Sequence, residues 1–147
     1  MMIISHTKDM DIVKKIMTSD GVWENLSTTG QDKETFEPIT EWQYVIGEVD
    51  GEAVGLGIIH ETKDGYNKCH VQVLPEHRKE HGKKFGLDGM RFIWANNTFD
   101  FMVASISSRF PNVRKFAELM GFELVKTRPK WYKEEGHDAW LFVAKRK

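Results

Sequence analysis

The chain has 147 residues, 40% of them apolar, which fits one domain with a core of its own and leaves no room for a disordered majority. Lys and Arg number 21 against 22 Asp and Glu, a formal net charge of -1, so no overall field draws the protein to nucleic acid or to an acidic membrane. The single cysteine, Cys69, excludes an internal disulfide, no apolar run approaches the roughly 18 residues of a membrane span, and MMIISHTKDM lacks a signal peptide's apolar region, so the expected location is the cytoplasm.

In chain order, Met2 to Ser5 reads as a short strand. A helix follows, with Thr7 placed to cap it, Asp9 and Asp11 in its first turn and Ile12, Val13 and Ile16 as its apolar stripe; Ser19-Asp20-Gly21 ends it. Val22 to Leu26 is a second short helix carrying Trp23. The polar stretch Ser27 to Thr40 is a loop, either the border of a substrate site or a plain surface connection.

Gln43 to Glu48 and Ala53 to His60 are strands joined by Val49-Asp50-Gly51-Glu52, and Asp-Gly between apolar runs is a hairpin signal. Gly55 and Gly57 allow close approach of a backbone or ligand, or mark a bulge or bend. Lys63-Asp64-Gly65 turns into a third strand, Asn67 to Leu74, completing an antiparallel meander.

A helix over about Lys83 to Asn96 buries Leu87, Met90, Ile93 and Trp94, with Phe85 and Phe92 widening the stripe. Phe101 to Ile106 is the next strand, and a strand, helix and strand in one layer require a right-handed crossover, which makes the pair parallel. Pro111 opens another helix, Val113, Phe116, Ala117 and Met120 form its buried face, and Gly121 supplies a left-handed C-cap. Phe122 to Thr127 and Ala139 to Ala144 are closing strands, with Trp131 and Tyr132 in the long connection Arg128 to Asp138.

The densest charge lies in VQVLPEHRKEHGKKFG, Val71 to Gly86. A strand end, a proline, a glycine-bearing loop with Arg78, Lys79, Lys83 and Lys84 beside His77 and His81, and then a helix start make an anion-binding layout. Loop and first-turn N–H groups converge there, and the helix dipole adds positive potential. Phosphate or pyrophosphate is the natural guest; the alternative is a solvated basic helix entrance.

The element order and the residues at the two glycine-marked helices resemble the GNAT superfamily of N-acetyltransferases. Val73-Leu74-Pro75-Glu76-His77-Arg78 and the basic turn after it are similar to the family's acetyl-CoA motif, in which a strand end and loop hold pantetheine and pyrophosphate. Phe116-Ala117-Glu118-Leu119-Met120-Gly121-Phe122-Glu123 is similar to the helix ending in Gly-Phe that borders the cofactor. The likeness covers about residues 40 to 145. It implies an α/β (α+β) domain over residues 1–147 with a mixed, mostly antiparallel central sheet of about six to seven strands flanked by helices. It also implies an acetyl-CoA site made by Val73, Leu74, Arg78, Lys79, His81, Gly82, Lys83, Lys84 and Asn112. The chain departs from the family pattern in places. Counted from Arg78, the family's small positions hold His81 and Lys83, and only a start at Lys79 puts Gly82 in place. Ala117 stands where many members carry a tyrosine that protonates the departing thiolate, and Asn112 comes two positions later than the usual asparagine.

Acyl transfer from a thioester to an amine needs a base for the amine and benefits from an acid for the thiolate. His70, near the middle of the strand that faces the acetyl group, is the candidate base, since its ordinary pKa suits the task. His60 or Glu61 could act through water. Ser107, Ser108 and Tyr132 are candidate acids, and each of these residues has a structural role as its alternative. The six histidines show no metal spacing, and no P-loop, GxSxG or dinucleotide fingerprint occurs. Two function classes follow. One is an acetyl-CoA-dependent N-acetyltransferase acting on an amine of a small molecule, peptide or protein. The other is a GNAT-like protein without catalysis, similar to small tailed-phage proteins of head assembly or the virion interior, found in the host cytoplasm or virion. Its partner would be an assembly protein or a second copy in a homodimer. A nucleic-acid partner is weaker, because one basic patch falls short of the usual stripe. Trp23, Trp42 and Trp131 either line an acceptor cleft or belong to the core.

Overall fold

The computed structural model describes residues 1–25, 32–132 and 137–147, with the backbone alone at 25 and 130–132. Its strands are β1 (Met2–His6), β2 (Gln43–Val49), β3 (Glu52–Glu61), β4 (Asn67–Val73), β5 (Phe101–Ser107), β6 (Glu123–Tyr132) and β7 (His137–Lys145), and its helices are α1 (Met10–Met17), α2 (Arg78–Ala95) and α3 (Pro111–Leu119). They form one seven-stranded sheet in the order β1-β2-β3-β4-β5-β7-β6. Every neighbouring pair is antiparallel except β4 and β5, which the α2 crossover makes parallel. The β2–β3 turn carries Asp50 and Gly51 at φ 52° and 79°, the two left-handed residues of a tight hairpin.

Strand alternation sorts the core into two layers. Val45, Ile59, Cys69, Met102, Ala104 and Phe142 face α2 and α3, where Met90, Ile93 and Ala117 cover them. Tyr44, Ile46, Leu56 and Ile58 face α1 and meet Val13, Ile16 and Met17. Two glycine contacts set how closely α2 can lie. Gly47 and Gly55 are partners across β2–β3, and a Cβ on either would come within 2.6 Å of the Phe85 ring, so the close approach at Gly55 is made by a side chain. Gly86 does the same between helices, since a Cβ there would sit 2.5 Å from the Phe116 ring. At the end of α3, Gly121 at φ 99° donates to the Glu118 carbonyl (3.1 Å) and Phe122 to the Ala117 carbonyl (3.0 Å), closing the helix in a Schellman motif.

The structure corrects several boundaries. The α2 helix starts at Arg78, five residues before Lys83, and a 3-10 turn at Pro75–His77 leads into it, so most of the expected basic loop is helix. Pro75 presets the first turn, and Gly82, read as a loop marker, sits inside the helix. Asp9, not Thr7, caps α1: its carboxylate accepts from the Asp11 and Ile12 N–H groups at 3.1 and 3.3 Å, while Thr7 Oγ1 accepts from the Asp9 N–H. The second short helix is a 3-10 turn at Trp23–Asn25, and the part of the expected helix and loop at 26–31 lies outside the described residues. The last hairpin keeps strand structure to Tyr132 and resumes it at His137, so most of the expected connection is sheet. Among the described residues, no helix is long and apolar enough to cross a membrane.

Candidate active site

The β4 and β5 strands pair at only two positions, Asn67 with Met102 and Lys68 with Val103. Beyond them the ladder stops, and a cavity of about 510 Å³ opens between the strands. A groove on one face of a sheet is lined by every second residue of a strand. This cavity is lined by Cys69, Val71 and Val73 and also by His70 and Gln72, and on β5 by Ser105 and Ser107 as well as Ala104 and Ile106. It is therefore a slot that reaches both faces of the sheet between the parted strands, with α2 and α3 residues lining one end and His70 and Gln72 the other. Alternate main-chain N–H and C=O groups along both edges of the slot have no ladder partner and point into it.

The α2/α3 end is cationic. Arg78, Lys83, Arg109 and Lys115 line the slot, and Glu24 is the one carboxylate among its described lining residues. Gly82 is buried and lines the slot, yet a Cβ built on it meets no atom within 4 Å. That open space beside the first turns of α2 fits a group that must come close to the backbone. Arg78 is a builder of this mouth: its Nε donates to the Val73 carbonyl (3.0 Å) and an Nη to the Gly21 carbonyl (2.6 Å), tying the end of β4 to the corner after α1. Gly21 holds that corner at φ 81°, with Pro75 packed where a Cβ would go.

Of the residues expected at a cofactor site, Val73, Arg78, Gly82, Lys83 and Asn112 line the slot. The other four are placed elsewhere. Leu74 packs into the α1 cluster, Lys79 is exposed, His81 lies beside Glu80 (3.7 Å), and Lys84 pairs with Asp88 at 2.9 Å. A helix points successive residues about 100° apart, so a run of basic residues on it does not all face the slot. Sequence reasoning missed Arg109 and Lys115, whose only signal was their position flanking Pro111 at the start of α3.

The other end holds the candidate proton-transfer groups. His70 lines the slot, and burial first, then His60 and Lys68, push its pKa down to about 4. It is neutral at pH 7 but does not keep the ordinary pKa expected of it. His60, also shifted down chiefly by burial, is placed with its Nε2 3.3 Å from His70 Nε2. Glu61 is exposed at the β3 end. Ser107 lines the slot, whereas Ser108 does not: its N–H donates to the Asp138 carbonyl (2.8 Å) and its Oγ accepts from the Asp138 N–H (2.9 Å), a clamp between β5 and β7. The Tyr132 and Trp131 side chains lie outside the described residues. Trp23 packs edge-on against Phe36, and Trp42 stacks on His60. Burial pushes the Cys69 thiol up to about 12, so it stays protonated and is no nucleophile.

No protein-family model matches the sequence, and no curated protein does. The fold has clear counterparts among solved structures. A GNAT-family acetyltransferase from Streptococcus pneumoniae superposes with a TM-score of 0.74 at 11% identity, covering 100% of both chains. The ribosomal-protein-S18-alanine N-acetyltransferase of Escherichia coli gives 0.71 at 13% identity over 99% of this chain and 94% of that one. An aminoglycoside acetyltransferase solved with coenzyme A and kanamycin gives 0.71 at 14% identity over 99% and 95%. The chain has the GNAT fold; its described residues form a seven-stranded, mostly antiparallel sheet and three α-helices.

Proposed function

We propose that this chain is a single-domain, acetyl-CoA-dependent N-acetyltransferase that uses the β4–β5 slot as its cofactor site and takes an amine acceptor from the α1 face. The observation that carries this reading is the slot itself, which joins a cationic, glycine-relieved end to a neutral imidazole through the thickness of one sheet. Lys83, Arg109 and Lys115 supply charge for phosphates, the open space at Gly82 admits them to the start of α2, and the unpaired edges of β4 and β5 offer main-chain partners for an amide-bearing arm. When bound, acetyl-CoA supplies an acyl carbon activated by its thioester.

The chain's own residues manage the protons. An amine must lose one to complete the bond to carbon, and its nitrogen becomes far more acidic as that bond forms. A base of low pKa such as His70 is then sufficient, and being neutral it has a lone pair to offer throughout the physiological range. Ser107 Oγ accepts the Arg109 N–H at 3.3 Å, which leaves its own hydrogen to donate to a leaving group in the slot. Ala117, buried on α3, has no hydroxyl to do so.

The test is thiol release from acetyl-CoA in the presence of spermidine, kanamycin and an alanine-initiated peptide, which span three amine classes. The proposal expects turnover with at least one, reduced about 100-fold or more in His70→Gln. Acetyl-CoA binding with no turnover of any class would instead favour a binding protein.

A further inference from the structure

Counting the β3–β4 register places Ile58 opposite His70 and His60 opposite Lys68, so His60 and His70 are diagonal neighbours on one face of the sheet. Extending the β2–β3 register by one residue puts Trp42 opposite His60. The three rings form a row across three strands: Trp42 lies on His60 with centroids 4.0 Å apart and planes 11° apart, and His60 and His70 are 5.5 Å apart at 7°. The row ends in the slot, which His70 lines and His60 and Trp42 do not. We infer that His60 and His70 form a two-imidazole proton relay, in which His70 faces the reacting amine and His60, held by Trp42, receives the proton at the far side of the pair. This inference rests on the acetyl-transfer reading of the slot.

The chemistry follows from one distance. Two Nε2 atoms at 3.3 Å can only be a donor facing an acceptor, so the neutral rings must be opposite tautomers. A hydrogen bond to the Glu61 backbone favours protonation of His60's ring and suits an N–H on its Nδ1, which leaves His60 Nε2 as the acceptor and His70 Nε2–H as the donor. The nitrogen left on His70 for the amine is Nδ1. One proton enters at His70 Nδ1 while the proton on His70 Nε2 passes to His60 Nε2. The same hops in reverse return both rings to their first tautomers and hand the proton back into the slot, where it replaces the hydrogen that Ser107 has given to the leaving group, so none is gained or lost. The face of the Trp42 indole stabilises the transient His60 imidazolium. Lys68, opposite His60, and Arg128 near Lys68 oppose a lasting one; α1 packs the apolar Met10, Val13, Ile16 and Met17 on this face, and Tyr44 on β2 commits its hydroxyl to the Ile39 carbonyl. The proton is passed on and not stored.

Imidazole nitrogen spectra of the 15N-labelled wild-type protein at pH 7 should show Nδ1–H on His60 and Nε2–H on His70. The same tautomer on both rings would overturn the pair, and this measurement needs no variant to fold. His60→Phe keeps a ring against Trp42 and removes the nitrogen. Its kcat should fall about tenfold or more, with acetyl-CoA affinity unchanged within twofold and the acid limb of the pH–rate profile displaced. Turnover of an amine with a wild-type kcat and pH profile in His60→Phe would overturn the relay alone. A wild-type protein with the tautomer pair but no turnover of any amine would overturn the acetyl-transfer reading and the relay's task with it.

Discussion

Burial of His70 should make the protein lose stability on mild acidification. Its pKa is about 4 in the folded chain and, in the unfolded chain, about the ordinary 6.5, so between those pH values the unfolded state binds a proton that the folded state refuses. The stability is complete above about pH 6.5, falls with pH through this window and reaches its full loss below about 4. Lowering the pH to about 5 crosses roughly 1.5 units of the window, at about 1.4 kcal/mol per unit, and so costs about 2 kcal/mol. With an m-value of about 2 kcal/mol per molar urea, this moves the unfolding midpoint by about 1 M. His70 is only half-buried, so solvent screens part of the effect, and His60, also lowered, adds to it in the same direction. The assay is urea unfolding of the wild type and of His70→Gln at pH 7 and pH 5. The wild type should lose about 1 M more in midpoint than the variant. Equal losses would refute the reasoning, because the carboxylates that also titrate are common to both chains.

Three further outcomes follow from the packing. Gly82→Leu projects into open slot space, so it should leave the urea midpoint almost unchanged and weaken acetyl-CoA binding at least tenfold by calorimetry, whereas Lys84→Ala, whose ammonium pairs with Asp88, should leave binding within twofold. Gly86→Val drives a side chain into the Phe116 ring and should cost about 1–3 kcal/mol in denaturant unfolding while displacing α3 from the slot. Arg146 donates to the Phe99, Trp94 and Asn97 carbonyls at 3.1, 2.8 and 2.6 Å around the end of α2, so Arg146→Ala should cost about 2–3 kcal/mol with acetyl-CoA affinity preserved.

What could be read from the sequence was what local chemistry decides. Asp50-Gly51 specifies a hairpin wherever it occurs between apolar runs, and Pro111 with Gly121 brackets α3 by rules that need no tertiary context. The start of α2 was misplaced because Gly82 and its charged neighbours resemble a loop, while Pro75 and packing against the sheet settle the matter in favour of helix. Val73, Gly82 and Lys83, which line the slot, could be picked out because they lie at the end of β4 and in the first turns of the helix after it. Arg109 and Lys115 could not, since they reach the slot only where β4 and β5 part, a feature of pairing between distant strands. The His60–His70 pair was within reach: counting back from the Asp64-Gly65 turn makes them diagonal neighbours, although the burial that lowers the pKa of His70 depends on every element around it.

The central claim is that the β4–β5 slot holds acetyl-CoA, and calorimetric titration of the purified protein with acetyl-CoA tests it most directly, with CoA and a phosphate-matched nucleotide as controls. Micromolar binding that requires the pantetheine arm and is weakened at least tenfold in Gly82→Leu is the expected result. Absence of binding at millimolar acetyl-CoA, or equal binding of the nucleotide alone, would contradict it.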